Sequence, residues 1–154
     1  MKLIFAALAL FVVIGASARE VTAEQATASQ ASDEPPLPKI AEIMPLQQMR
    51  HIKLWFAGRA GNWPLADYEI DQLKDGFDDV NQLLGGDTVA KAIGAPIAAI
   101  EKAIDHKDRG AFINAFDKLT AGCNSCHHTL DHAFIVIQRP ASPAYVDQLF
   151  APRR

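Results

Sequence analysis

Residues 108–130 of the chain read DRGAFINAFDKLTAGCNSCHHTL. A helix begins near Asp108. Behind it Phe112, Phe116, Leu119, Cys123, Cys126, His127 and Leu130 recur at the spacing of one helical face. The spacing predicts a helix from about Asp108 whose apolar stripe ends in a Cys-x-x-Cys-His cluster. Cys123 and Cys126 are the only cysteines among 154 residues, so the thiols are concentrated at one point of one buried face.

Three further amphipathic segments precede this one. The first begins at Ile40 or at Pro45, because the residue ahead of a proline avoids helical geometry, and runs to Gly58, ending near Gly61. The second opens at Asn62-Trp63-Pro64, a cap followed by an early proline, and closes at Gly85-Gly86. Leu65, Tyr68, Leu73, Phe77, Val80 and Leu84 are expected on its inner side. Asp67, Asp71, Asp75, Asp78 and Asp79 fall mostly on the other, a solvated strip able to guide a basic partner. The third starts after Asp87-Thr88 and carries Val89, Ile93, Ile97, Ile100 and Ile104, with Pro96 bending it. Four such helices with short connections and no strand ladder predict an all-α, antiparallel four-helix bundle over residues 40–132.

The two ends of the chain follow other rules. Lys2, the apolar run Leu3 to Ile14 and Ala16-Ser17-Ala18 have the layout of a cleaved secretory leader, residues 1–18. The run is shorter than the ~20 residues that span a bilayer, so no membrane anchor is expected after cleavage. Losing Lys2 leaves 14 of the 15 basic residues against 18 acidic ones, a net charge of −4. There is no basic stripe interleaved with aromatics, so nucleic acid is not an expected partner. Residues 19–39 are rich in Ala, Ser, Thr, Gln and Glu and close on Glu34-Pro35-Pro36-Leu37-Pro38, the composition of a disordered tether. Residues 133–154 form a tail kept irregular by Pro140, Pro143 and Pro152. Its Ala133–Ile137 stretch looks extended and is expected to bury its apolar side chains on the bundle, with a partner-binding strand as the alternative.

An exported chain meets oxidising surroundings, where neighbouring thiols join unless other chemistry uses them. Cys-x-x-Cys-His is the attachment signature of haem c. On a helix, positions 123, 126 and 127 share a face, so two thiols can bond one edge of a porphyrin while the imidazole beside them reaches the iron. One covalent haem is expected, with Cys123 and Cys126 as thioether anchors and His127 as proximal ligand. A thioredoxin-like disulfide would need a strand-to-helix junction in a βαβ unit, and zinc would need a second ligand pair beyond Cys123, Cys126 and His127 or His128.

The helical pattern ending in Cys123-Asn124-Ser125-Cys126-His127 resembles the class II c-type cytochromes, the cytochrome c prime kind of four-helix bundle, over residues 40–130. The stretch RHIKLWFAGRAGNW, residues 50–63, also looks like a signature of uncharacterised exported bacterial cytochrome-like proteins, which implies a periplasmic location and no particular activity. One departure is the length of chain after His127, 27 residues, more than that family usually has; this tail is expected to fold back over the haem or the bundle.

The other side of the iron decides between functions, since a second protein ligand favours electron transfer and an open position permits gas binding. In an antiparallel bundle the end of helix four lies beside the start of helix one. Counting about 100° per residue from Ile40, the inward arc holds Gln47, His51, Met44 and Trp55, while Met49 faces away. His51 is the first candidate distal ligand, or a satisfied core histidine; Met44 is the alternative. Arg50, Lys53 and Arg59 are solvated or pair with haem propionates, and Trp55 and Trp63 are core aromatics or pack on the porphyrin. His106, His128 and His132 carry less. The reading is an exported monohaem electron carrier that serves redox partner proteins and is not an enzyme. The cytochrome c prime resemblance implies the alternative, a five-coordinate haem protein that binds small gases such as NO and CO. A peroxidase-like enzyme would have only His51, Gln47 and Gln48 as distal polar groups. Two-fold pairing through helices one and two would suit such a bundle.

Overall fold

The computed structural model describes residues 39–153; the expected leader, and all but Lys39 of the expected tether, lie outside them. Four helices follow one another: α1 (Ile40–Ala60), α2 (Trp63–Leu84), α3 (Thr88–Asp105) and α4 (Arg109–Thr129). Among the described residues there is no strand, and no helix is long and apolar enough to cross a membrane. The all-α four-helix arrangement is as the periodicity requires.

Local chemistry sets the ends. Gly61 closes α1 and Gly85 closes α2, at φ 73° and φ 66°, left-handed conformations that a Cβ would strain. Asn62 caps α2 by accepting from the Leu65 N–H, and Asp108 caps α4 by accepting from the Ala111 N–H at 3.0 Å. Pro45 lies inside α1, and the helix starts at Ile40. A proline so near the N-terminus forfeits only the one bond to the Ala41 carbonyl, and extending the helix lets it bury Ile43.

The core is built from Leu54 and Trp55 of α1, Ile70, Leu73 and Phe77 of α2, Ile93, Ile97 and Ile100 of α3, and Phe112, Phe116 and Leu119 of α4. Tyr68, expected inward, is exposed, and Ile70 takes the buried position. At 100° per residue Tyr68 is on the far side from Leu73 and Phe77, whereas Ala66, Ile70, Leu73, Phe77 and Val80 form the inner row. Gly122 lets α3 and α4 approach closely: a Cβ there would lie 2.5 Å from the Ala92 carbonyl oxygen. Pro96, which has no N–H, leaves that carbonyl without its helical donor.

Helices α1 and α4 run antiparallel, with His51 against Thr120, Trp55 against Phe116 and Gly58 against Phe112. They touch each other least of the neighbouring pairs, because a cavity and the tail lie along them. Beyond α4 the chain turns back in an extended course. Ile135 and Ile137 line the cavity, whereas Phe134 and Val136 stand 80% and 72% exposed. The apolar stretch is therefore only half sheltered, since an extended backbone sends alternate side chains to opposite sides.

Candidate cofactor site

Between the first three turns of α1 and the last three of α4 lies a cavity of about 560 Å³, within the usual range for cofactor sites. Its walls are mostly apolar, with Leu73, Phe77 and Val80 from α2 and Val89 and Ile93 from α3. Cys123, Cys126 and His127 line it from α4, and Met44 and His51 from α1. All five residues singled out in the sequence thus meet at one space.

The cysteines are free and half-buried. Burial pushes the Cys123 thiol up to about 12, helped by Cys126 beside it, and burial also raises Cys126. Both shifts disfavour the thiolate, the form that attacks disulfides. Among the described residues no three His, Cys, Asp or Glu side chains are grouped to hold a bare metal ion.

His127 is buried in the last turn of α4, and its Nδ1 lies 2.8 Å from the carbonyl oxygen of Ile135. A carbonyl only accepts, so Nδ1 carries a proton, and in the neutral ring Nε2 is then the nitrogen with the lone pair. His51 is 3% exposed, and its Nε2 lies 2.9 Å from Thr120 Oγ1. The Thr120 hydroxyl donates to the Phe116 carbonyl, so it accepts from His51 Nε2–H. Burial lowers the His51 pKa from 6.5 to about 4, which keeps the ring neutral. Its ring packs on Phe116 at 4.4 Å between centroids.

The register fixes heights along the bundle. Seven residues separate His51 from Met44 on α1, and seven separate Thr120 from His127 on α4. At 1.5 Å per residue, Met44 and His127 share a level about 10 Å from that of His51 and Thr120.

Several expected neighbours of the site are committed elsewhere. Gln47 donates from Nε2 to the Leu73 carbonyl at 2.7 Å, packed where Gly76 leaves room. Arg50 donates to the Gln72 carbonyl and to Gln47 Oε1. Lys53 pairs at 2.5 Å with Glu69, a carboxylate 1% exposed that the sequence reading missed. Arg59 and Arg139 stand over the Trp55 ring at 5.3 and 4.8 Å. None of Arg50, Lys53, Arg59, Trp55 and Trp63 lines the cavity; Trp55 is in the core and Trp63 packs against it, as core aromatics, while the alternative of contact with a porphyrin or its propionates finds no support in the cavity lining. His106 bonds the Lys102 carbonyl at the end of α3, and His128 is exposed; His132, although exposed, lines the cavity.

Asn124, between the two cysteines, was read only as part of the spacing. Its Nδ2 donates to the Ile137 carbonyl at 2.8 Å, and its Oδ1 accepts from the Ile137 N–H at 2.7 Å. No sequence pattern announces such a bond across thirteen residues. Compared with protein-family models, with curated proteins and with solved structures, the chain matches none.

Proposed function

We propose that the chain is an exported monohaem c-type cytochrome of the class II, four-helix kind, which holds one covalent haem c in the cavity and passes electrons to and from redox partner proteins. The observation that carries this reading is that two free thiols and an imidazole held at Nδ1 by a backbone carbonyl line one wall of an apolar cavity of cofactor size. Cys123 and Cys126 would be the thioether anchors and His127 the proximal ligand. Bound there, the haem would supply a one-electron iron couple.

The chain's own residues do the rest. Leu73, Phe77, Val80 and Ile93 exclude water and lower the local dielectric. The register supports Met44 over His51 as sixth ligand, since Met44 shares the level of His127 and the Nε2 proton of His51 is engaged by Thr120. With Gln47 and His51 both occupied by protein partners, the distal polar set that a peroxidase needs is reduced to Gln48.

The alternative, five-coordinate iron that binds NO or CO, draws support from that same engagement of His51, which ties up Nε2 of one of two candidates for the sixth position. Carbon monoxide separates the two readings. A low-spin ferrous spectrum that resists the gas is the expected result; a high-spin spectrum with rapid binding would reject the carrier reading and leave the gas-binding one.

A further inference from the structure

The segment Ile135–Arg139 runs back along α4 and meets it at every second residue. The Ile135 carbonyl accepts from His127 Nδ1 at 2.8 Å, both backbone groups of Ile137 pair with the Asn124 amide, and Arg139 reaches Asp117 through two donors at 3.1 and 2.5 Å. The Arg139 guanidinium also covers the Trp55 ring of α1. In an extended chain the carbonyls of residues two apart point the same way, so a clamp on Ile137 fixes where the Ile135 oxygen stands.

We propose that Ile135–Arg139 is a strap that selects the tautomer and orientation of the His127 imidazole, with Asn124 as the positioning residue that holds the strap in place. His127 lies two residues from the end of α4, where backbone bonds fray. A neutral imidazole has two tautomers, and an acceptor fixed at Nδ1 favours the one that presents Nε2 as a base. An oxygen on Nδ1–H also makes the ring a stronger electron donor to a metal. Asn124 can clamp a backbone because its amide offers one donor and one acceptor side by side, matching one residue's carbonyl and N–H. Asn124, three residues before His127, thus ties the metal-facing ring to the tail.

The inference rests on the haem reading for its consequence, so the test has two arms. In the iron-free full chain, nitrogen-15 correlation spectra in mildly alkaline buffer report the tautomer of His127. Wild type is expected to show Nδ1–H alone, and Asn124→Ala a mixture of both forms. In the haem-loaded protein the same variant is expected to raise the midpoint potential, because a weaker donor stabilises ferric iron less. A tenfold change in relative affinity for the two oxidation states corresponds to ~59 mV. Arg139→Ala releases the strap from its far end without touching the attachment motif, and reads both quantities should Asn124→Ala not fold. Asn124→Asp keeps the bond from the Ile137 N–H and is expected to fall between. A purely structural clamp would lower the unfolding midpoint and leave tautomer and potential alone; that result, or an Nε2–H tautomer in wild type, overturns the proposal. Failure of haem to attach would reject the functional reading and leave the tautomer arm standing.

Discussion

Acidification should destabilise the fold through one buried ring. His51 is neutral in the folded chain because burial lowers its pKa from 6.5 to about 4, while in the unfolded chain it titrates at its ordinary value. Between those two values the unfolded state binds the extra proton, so stability is full above pH ~6.5 and falls as pH drops toward 4. At 1.36 kcal/mol per unit, the shift corresponds to ~3 kcal/mol lost by pH 4, with ~2 kcal/mol of it gone by pH 5. Carboxylates also titrate in this range, so the comparison that isolates the ring is with His51→Leu. Thr120 keeps its bond to the Phe116 carbonyl in that variant, and no new buried donor is stranded. Denaturant unfolding of the iron-free chain at pH 7, 5 and 4, for both proteins, gives the difference in slope. The variant should lose ~3 kcal/mol less than wild type on going from pH 7 to 4. Parallel profiles would refute the assignment of His51 as a buried neutral base.

Other perturbations test other parts. Met44→Ala in the haem-loaded protein should convert a low-spin spectrum to high-spin, and His51→Leu should leave it low-spin; the reverse pattern would make His51 the sixth ligand. Gly122→Ala should destabilise by ~1–2 kcal/mol in thermal or chemical unfolding. Ordinary helix propensity favours alanine by ~1 kcal/mol, but a Cβ 2.5 Å from the Ala92 carbonyl meets backbone that cannot rotate aside, which places the overpacking cost in the upper part of its ~1–3 kcal/mol range, ~2–3 kcal/mol, and leaves a net loss of ~1–2 kcal/mol. Lys53→Met leaves the Glu69 carboxylate buried without its cation and should cost ~3–5 kcal/mol, whereas Lys53→Met with Glu69→Leu should recover most of it. A double variant as unstable as the single one would show that the pair does more than satisfy itself.

What was legible in the sequence was what local chemistry writes. Asn62, Gly85 and Asp108 set helix ends through bonds spanning three or four residues, and the isoleucines of α3 mark their face by periodicity alone. The Cys123–Cys126–His127 cluster was legible for the same reason. Pro45 was ambiguous because its local penalty opposes a gain that exists only once α1 packs on its neighbours. Lys53 with Glu69, Arg50 with the Gln72 carbonyl, and His51 with Thr120 join different helices, and such pairs need a register that no single segment contains. That register separates Met44 from His51, which a helical wheel could not do. The tail was half legible: its extended course followed from composition, but its anchoring through Asn124 and Arg139 did not, and the exposure of Phe134 and Val136 ran against the burial expected of them.

On the proposed reading, Cys123 and Cys126 hold a haem through carbon–sulfur bonds. Intact-mass measurement after denaturation, on chain exported by a host equipped to attach haem, decides whether those bonds form. The expected mass is that of the processed polypeptide plus one haem, surviving acid and organic solvent, and falling to the bare polypeptide when both cysteines are replaced by alanine. A colourless protein with the mass of its polypeptide alone, or a haem that washes away on denaturation, would contradict the account.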